Sequence, residues 1–151
     1  MPQPAQAEPG ADPRLARIVA AFETLSPQSL ADLGSIYAED ARFKDPFNEV
    51  RGVPAIAAIF EHMFRTLEEP RFVVHRAVVQ GRDAFITWDM RFRMKRYDRR
   101  GQVIRGASHL VLDEAGRIAE HRDYWDAAEE LYEKLPLVGS LMRWLKRRAS
   151  S

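Results

Sequence analysis

Cysteine is absent from the 151 residues, which excludes disulfides, thiolate nucleophiles and thiolate-ligated zinc. Net charge is almost absent too. With 23 Lys and Arg against 22 Asp and Glu, the chain lacks the basic excess of a general nucleic-acid binder, and no nucleic-acid partner is expected. No apolar run approaches the roughly 20 residues of a membrane span. The opening stretch MPQPAQAEPGAD has neither the basic nor the apolar part of a secretory signal. A soluble, cytoplasmic protein is the expectation. His62, His75 and His109 do not fall at metal-ligand spacing, and the glycines form no phosphate cradle, so neither a metal nor any other cofactor is expected.

What remains fits a single domain with one core. Residues 1–11 read as a disordered lead-in. Residues 12–132 form the domain, and 133–151 an amphipathic C-terminal segment. Asp12 and Pro13 open a helix with Leu15, Ile18, Val19, Phe22 and Leu25 on one face. Ser26-Pro27 opens a second, with Leu30, Leu33 and Ile36 inward, ending near Tyr37. A short strand over 41–44 follows. A third helix runs from Gly52 and Pro54 to the Glu68-Glu69-Pro70 break. The period then changes from 3.6 towards 2, and four strands are predicted over 72–80, 84–95, 103–112 and 117–125, an antiparallel meander. Asp126 and Glu129 form a capping box. Helices first and strands later indicate an α+β fold with helices packed on one face of a curved sheet.

The stretch YAEDARFKDPFN, Tyr37 to Asn48, delivers the carboxylate of Asp45 from a strand end into a turn fixed by Pro46. Such a carboxylate is either a turn former or a proton-transfer base. Three strings, YAEDARFKDPF, SHLVLDEAGRI and HRDYWD, together with the order of elements, resemble the nuclear transport factor 2-like superfamily, in particular its ketosteroid isomerase and SnoaL-like polyketide cyclase branches. The resemblance implies a cone-shaped α+β barrel, with a curved, mostly antiparallel sheet wrapped around the N-terminal helices. It implies Asp45 as general base. The donors of the isomerases are replaced here: the phenol position falls on Ala21 or Phe22, and the protonated sheet Asp on Ser108. The string HRDYWD also resembles that of limonene epoxide hydrolase, which implies a catalytic role for Asp123 and a pocket role for Asp89 and Arg91.

Strand parity adds to this. If Ser108 faces the pocket, Ile104, Gly106, Leu110 and Leu112 share its side and His109 points away. His121, Asp123 and Trp125 share one face of the last strand, with Phe43 beside the Asp45 end. For the strand through residue 88 two readings stand: burial turns Ile86, Trp88 and Met90 inward, whereas the epoxide-hydrolase resemblance turns Asp89 and Arg91 inward. The expected function is binding of an apolar small molecule in a deep pocket, with acid/base chemistry of isomerase, cyclase or hydrolase type through Asp45 and Asp123. Phe43, Asp89, Arg91, Ser108, His121 and Trp125 are the expected substrate-binding residues. A non-catalytic carrier of a lipid-like or polyketide-like ligand is the alternative. A surplus of apolar strand positions predicts a homodimer through the outer sheet face. The apolar-then-basic tail suits a lid, a subunit contact or a membrane surface.

Overall fold

The computed structural model describes residues 12–95, 101–130, 144, 145 and 147–149. Helix α1, Pro13–Glu23, is capped as expected: Asp12 accepts from the Arg14 amide at 2.9 Å, and Leu15, Ile18 and Phe22 are buried. Hydrogen bonds from the Arg14 guanidinium bring the Asp12 carboxyl down to about 2. The predicted second helix is a 3-10 segment, Ser29–Ser35. Its buried positions, Leu30, Leu33 and the following Ile36, recur every three residues, the period of that tighter helix. Strand β1, Tyr37–Lys44, therefore begins before the predicted residue 41.

A short hairpin leads to β2, Glu49–Arg51, and Gly52, at φ 95°, opens α2, Val53–Thr66, with Ile56 and Phe60 buried. The break at Pro70 is not a helix end. The chain turns extended at Leu67 and runs on as β3, Leu67–Gln80, with Pro70 inside a register shift between Glu68 and Arg71. β3 is an edge strand, where a residue without an amide donor is tolerated. β4, Asp83–Met94, β5, Gln102–Leu112, and β6, Ile118–Tyr124, complete the meander before the short α3, Ala127–Glu130, which Asp126 caps.

The six strands form one sheet in the order β2-β1-β6-β5-β4-β3. All pairings are antiparallel except β1 with β6, so the first strand is brought in parallel beside the last. With α1 against β3, and α2 against β1 and β3, this is the expected α+β cone around a curved, open sheet. Ile86, Trp88, Ile104, Leu110, Leu112 and Ile118 turn to the helices and are buried. Burial of each large aliphatic side chain is worth about 1.5–3 kcal/mol. The other face carries exposed Val78, Phe85 and Tyr124 among its charged residues. Among the described residues no helix is long and apolar enough to cross a membrane. Residues 1–11 and most of 133–151 lie outside the described residues, so the lead-in and the tail stay as expectations; Trp144 and Leu145 are about half exposed.

Candidate functional site

The period-2 geometry of β6 sends His121 and Asp123 to the same inner face. Ser108 is the register partner of Asp123 on β5. From these positions a continuous row of hydrogen bonds forms. Trp88 Nε1 lies 2.9 Å from Ser108 Oγ, Ser108 Oγ 2.5 Å from Asp123 Oδ1, His121 Nε2 2.6 Å from the same Oδ1, and Tyr37 Oη 2.6 Å from His121 Nδ1.

The direction of each bond follows from the chemistry of its ends. An indole N–H only donates, so Ser108 accepts from Trp88 and has its own hydrogen for Asp123. The Tyr37 phenol is held neutral: burial, and secondarily the charge of Asp123, raise its pKa well above the ordinary 10.0. Its hydrogen has the Nδ1 lone pair as partner, which places the imidazole proton on Nε2, aimed at Asp123. An imidazolium would leave that buried phenolic hydrogen with no acceptor among the described residues, at a cost of about 1–3 kcal/mol. Every donor in the row thus points towards one carboxylate. Its second oxygen, Oδ2, takes no hydrogen bond from a described residue.

The imidazole is fixed by packing as well. Phe43 meets it edge-on at 4.7 Å and Phe22 at 5.7 Å, while the Tyr37 ring plane lies 8° from its own. Trp88 owes its position to Gly106. A Cβ on Gly106 would stand 2.5 Å from Cη2 and 2.6 Å from Cζ2 of the indole, so Trp88 lies flat across β5 only because residue 106 has no side chain. Together Phe22, Phe60, Phe72, Val74, Ile86, Trp88, Ser108, His121 and Asp123 line a narrow cavity of about 20 Å³, room for about one water. Asp123 also lines an open groove of about 570 Å³ with Lys44, Asp45, Pro46, Arg122, Tyr124, Trp125 and Asp126. It stands between the two spaces.

The structure thus joins Ser108, His121 and Asp123 by hydrogen bonds, sets Phe43 against the His121 ring, places Asp45 and Trp125 in the groove that Asp123 also lines, and separates only Asp89 and Arg91 from them. Asp45 does not line the inner cavity. Its Oδ1 accepts from the amides of Phe47 at 2.8 Å and Asn48 at 2.6 Å, and both oxygens accept from Asn48 Nδ2 at 3.1 Å, which closes the turn between β1 and β2. Trp125 is in the groove, edge-on to Phe47 at 5.6 Å. Phe43 supports His121 from behind. Asp89 and Arg91 require correction. Trp88 takes the inner face of β4, so both stand on the outer face, where Asp89 pairs with His75 at 3.1 Å and Arg91 at 3.6 Å. The burial of Ile86, Trp88 and Phe92 outweighs the motif-based count.

Sequence reasoning missed two members of the row, Tyr37 and the indole of Trp88 as a donor. The signal for Trp88 was its strand position two residues from Ser108's partner Ile86, facing Gly106. For Tyr37 the signal was non-local, since its partner lies 84 residues away.

A family model for a SnoaL-like domain matches residues 18–121, more than half of the chain. No curated protein matches the sequence. The fold is similar to that of a protein with ketosteroid isomerase-like fold from Catenulispora acidiphila, solved in complex with trimethylamine: TM-score 0.67 at 17% identity, over 79% of this chain and 89% of that one. A putative SnoaL-like polyketide cyclase from Jannaschia gives 0.66 at 12% identity, over 82% and 93%. An epoxide hydrolase from M. tuberculosis, similar to the limonene enzyme, gives 0.63 at 16% identity, over 78% and 85%.

Proposed function

Since the chain belongs to the SnoaL-like domain family, we propose that it binds a small molecule at Asp123, between the water-sized inner cavity and the open groove, and that Asp123 is the group that accepts a hydrogen bond or a proton from it. The observation that carries this is the convergence of Ser108 Oγ and His121 Nε2 on Asp123 Oδ1, which fixes the carboxylate and leaves Oδ2 for a ligand. Asp45, the other expected base, has its carboxylate committed to a turn, so the acid/base role rests on Asp123. The same row argues against an enolate-forming isomerase. Such a reaction needs hydrogen-bond donors at the developing oxyanion, and their loss costs about 3–4 kcal/mol. Here the side-chain donors of the cavity wall are already used within the row.

Calorimetric titration with 2-naphthol, an apolar phenol, tests the reading. D123N is expected to lower its affinity at least about tenfold, equivalent to about 1.4 kcal/mol. D45A is expected to bind within about twofold of the native protein while losing about 1–2 kcal/mol of stability with its turn. Native affinity in D123N would remove the proposed role.

We also infer that a second copy of the chain covers the outer sheet face. The helices pack on the opposite face, and Val78, Phe85 and Tyr124 are each at least half exposed. A closed two-fold pair buries such a face at once. Sedimentation at micromolar concentration is expected to give a dimer, and Phe85→Glu a monomer. A native monomer would leave the face to the C-terminal segment.

A further inference from the structure

We propose that the ligand held at Asp123 is a small organic ammonium ion, whose charged head enters the water-sized cavity and donates an N–H to Asp123 Oδ2 while its carbon substituents lie in the open groove beside Trp125. The inference rests on the reading of Asp123 as the accepting group, and adds the class of ligand it accepts.

The first ground is the inventory of polar atoms. Trp88 donates to Ser108, Ser108 and His121 donate to Asp123, and Tyr37 donates to His121. Phe22, Phe60, Phe72, Val74 and Ile86 carry no side-chain donor. A carbonyl oxygen, a carboxylate or a phosphate entering here would meet a carboxylate oxygen and find no side-chain donor. A positively charged donor meets what it requires.

The second ground is the charge of Asp123. Its side chain is 16% exposed, and its one ion-pair partner among the described residues is His121, whose other ring nitrogen, Nδ1, is taken up by the Tyr37 hydroxyl. Lys44 and Arg122 belong to the outer groove and not to the inner cavity, and neither forms an ion pair with Asp123; the Arg122 guanidinium lies 4.8 Å above the Tyr124 ring. A largely buried carboxylate gains more from an approaching cation than an exposed one does, because the low dielectric strengthens the attraction. The third ground is the wall. Phe22, Phe60, Phe72 and Trp88 offer four rings, and Phe72 stands edge-on to Trp88 at 5.5 Å. Ring faces attract cations, most strongly where water is displaced. The water-sized space suits the ammonium head, and the groove on the other side of Asp123, beside Trp125, has room for the rest of the molecule.

Three probes separate charge, donor and shape: tert-butylammonium chloride, its neutral isostere tert-butanol, and tetramethylammonium chloride, which has the charge without an N–H. Titration of the native protein, followed by the indole N–H resonance of Trp88 and by calorimetry, is expected to show tert-butylammonium at least about tenfold tighter than tert-butanol, with tetramethylammonium between them. D123N is expected to abolish the preference. Phe72→Leu, which removes one ring and leaves the hydrogen-bonded row intact, is expected to weaken both cations and not tert-butanol. Equal binding of tert-butylammonium and tert-butanol, or a preference that survives in D123N, overturns the proposal. If 2-naphthol still depends on Asp123 in that case, only the ligand class falls. If neither probe depends on Asp123, the accepting role falls with it.

Discussion

Gly106→Val is expected to destabilise the protein by about 3 kcal/mol, the upper range for overpacking a filled core. The indole of Trp88 occupies the volume where the first side-chain carbon would stand, with Cη2, Cζ2 and Cζ3 all within 3.0 Å of it. Residue 106 sits in the middle of β5, paired with Trp88 itself across the β4 interface. Neither backbone can move away without breaking the ladder, so the indole must tip. It then leaves Ser108 and its edge contact with Phe72. Urea unfolding measures the loss as a lower midpoint at unchanged slope. Trp88→Phe supplies the control. With the outer ring gone, Gly106→Val should cost about 1–3 kcal/mol less than in the native background, a coupling expected only of residues in contact. Additive costs would mean that Gly106 is needed for some reason other than the indole. Tipping the indole should also weaken ligand binding, because Ser108 would lose the donor that orients its hydrogen towards Asp123.

The arrangement around Gly106 shows which parts of the site were legible in the sequence. Alternation is strict along β5 and holds on β6 from His121 onwards, past the register irregularity between Ile118 and Glu120, and it sets Ser108 with Ile104, Leu110 and Leu112, turns His109 away, and places His121 and Asp123 together. On β4 the same alternation favoured Trp88 inward, and the structure follows it against the motif that favoured Asp89 and Arg91. Burial of an indole, an isoleucine and a phenylalanine is worth several kcal/mol, far more than a short string match implies about orientation. Asp45 was legible as a turn former from Asp-Pro and Asn48, and the hydrogen bonds of its carboxylate agree with that alternative. Tyr37 was not legible. Its role depends on β1 lying parallel to β6, and no local pattern in residues 37–44 specifies which strand becomes the neighbour. The 3-10 segment before it also shifts the strand start, so a count based on an α-helix misplaces Tyr37 at a helix end.

Tyr37→Phe should expose this hidden member of the row through the pH dependence of stability. At neutral pH the variant loses the donor to His121 Nδ1 and leaves a buried ring nitrogen without its partner, a loss of about 1–2 kcal/mol. Above the ordinary tyrosine value of 10.0 the comparison changes. The folded phenol is held well above that value, by burial first and by the Asp123 charge second. Below 10.0 the phenol is protonated in both folded and unfolded chains, and its contribution is fully present. As the pH rises from 10.0 towards the folded value, only the unfolded chain releases this proton, so the native protein loses about 1.4 kcal/mol per pH unit from this group alone. Phenylalanine has no proton to release at position 37. The difference between native and Tyr37→Phe stability should therefore narrow above pH 10 and then reverse, while groups common to both proteins cancel in the subtraction. Parallel stability curves through that range would show that Tyr37 is not buried as a neutral donor, and the assignment of the imidazole proton to Nε2, aimed at Asp123, would have to be withdrawn.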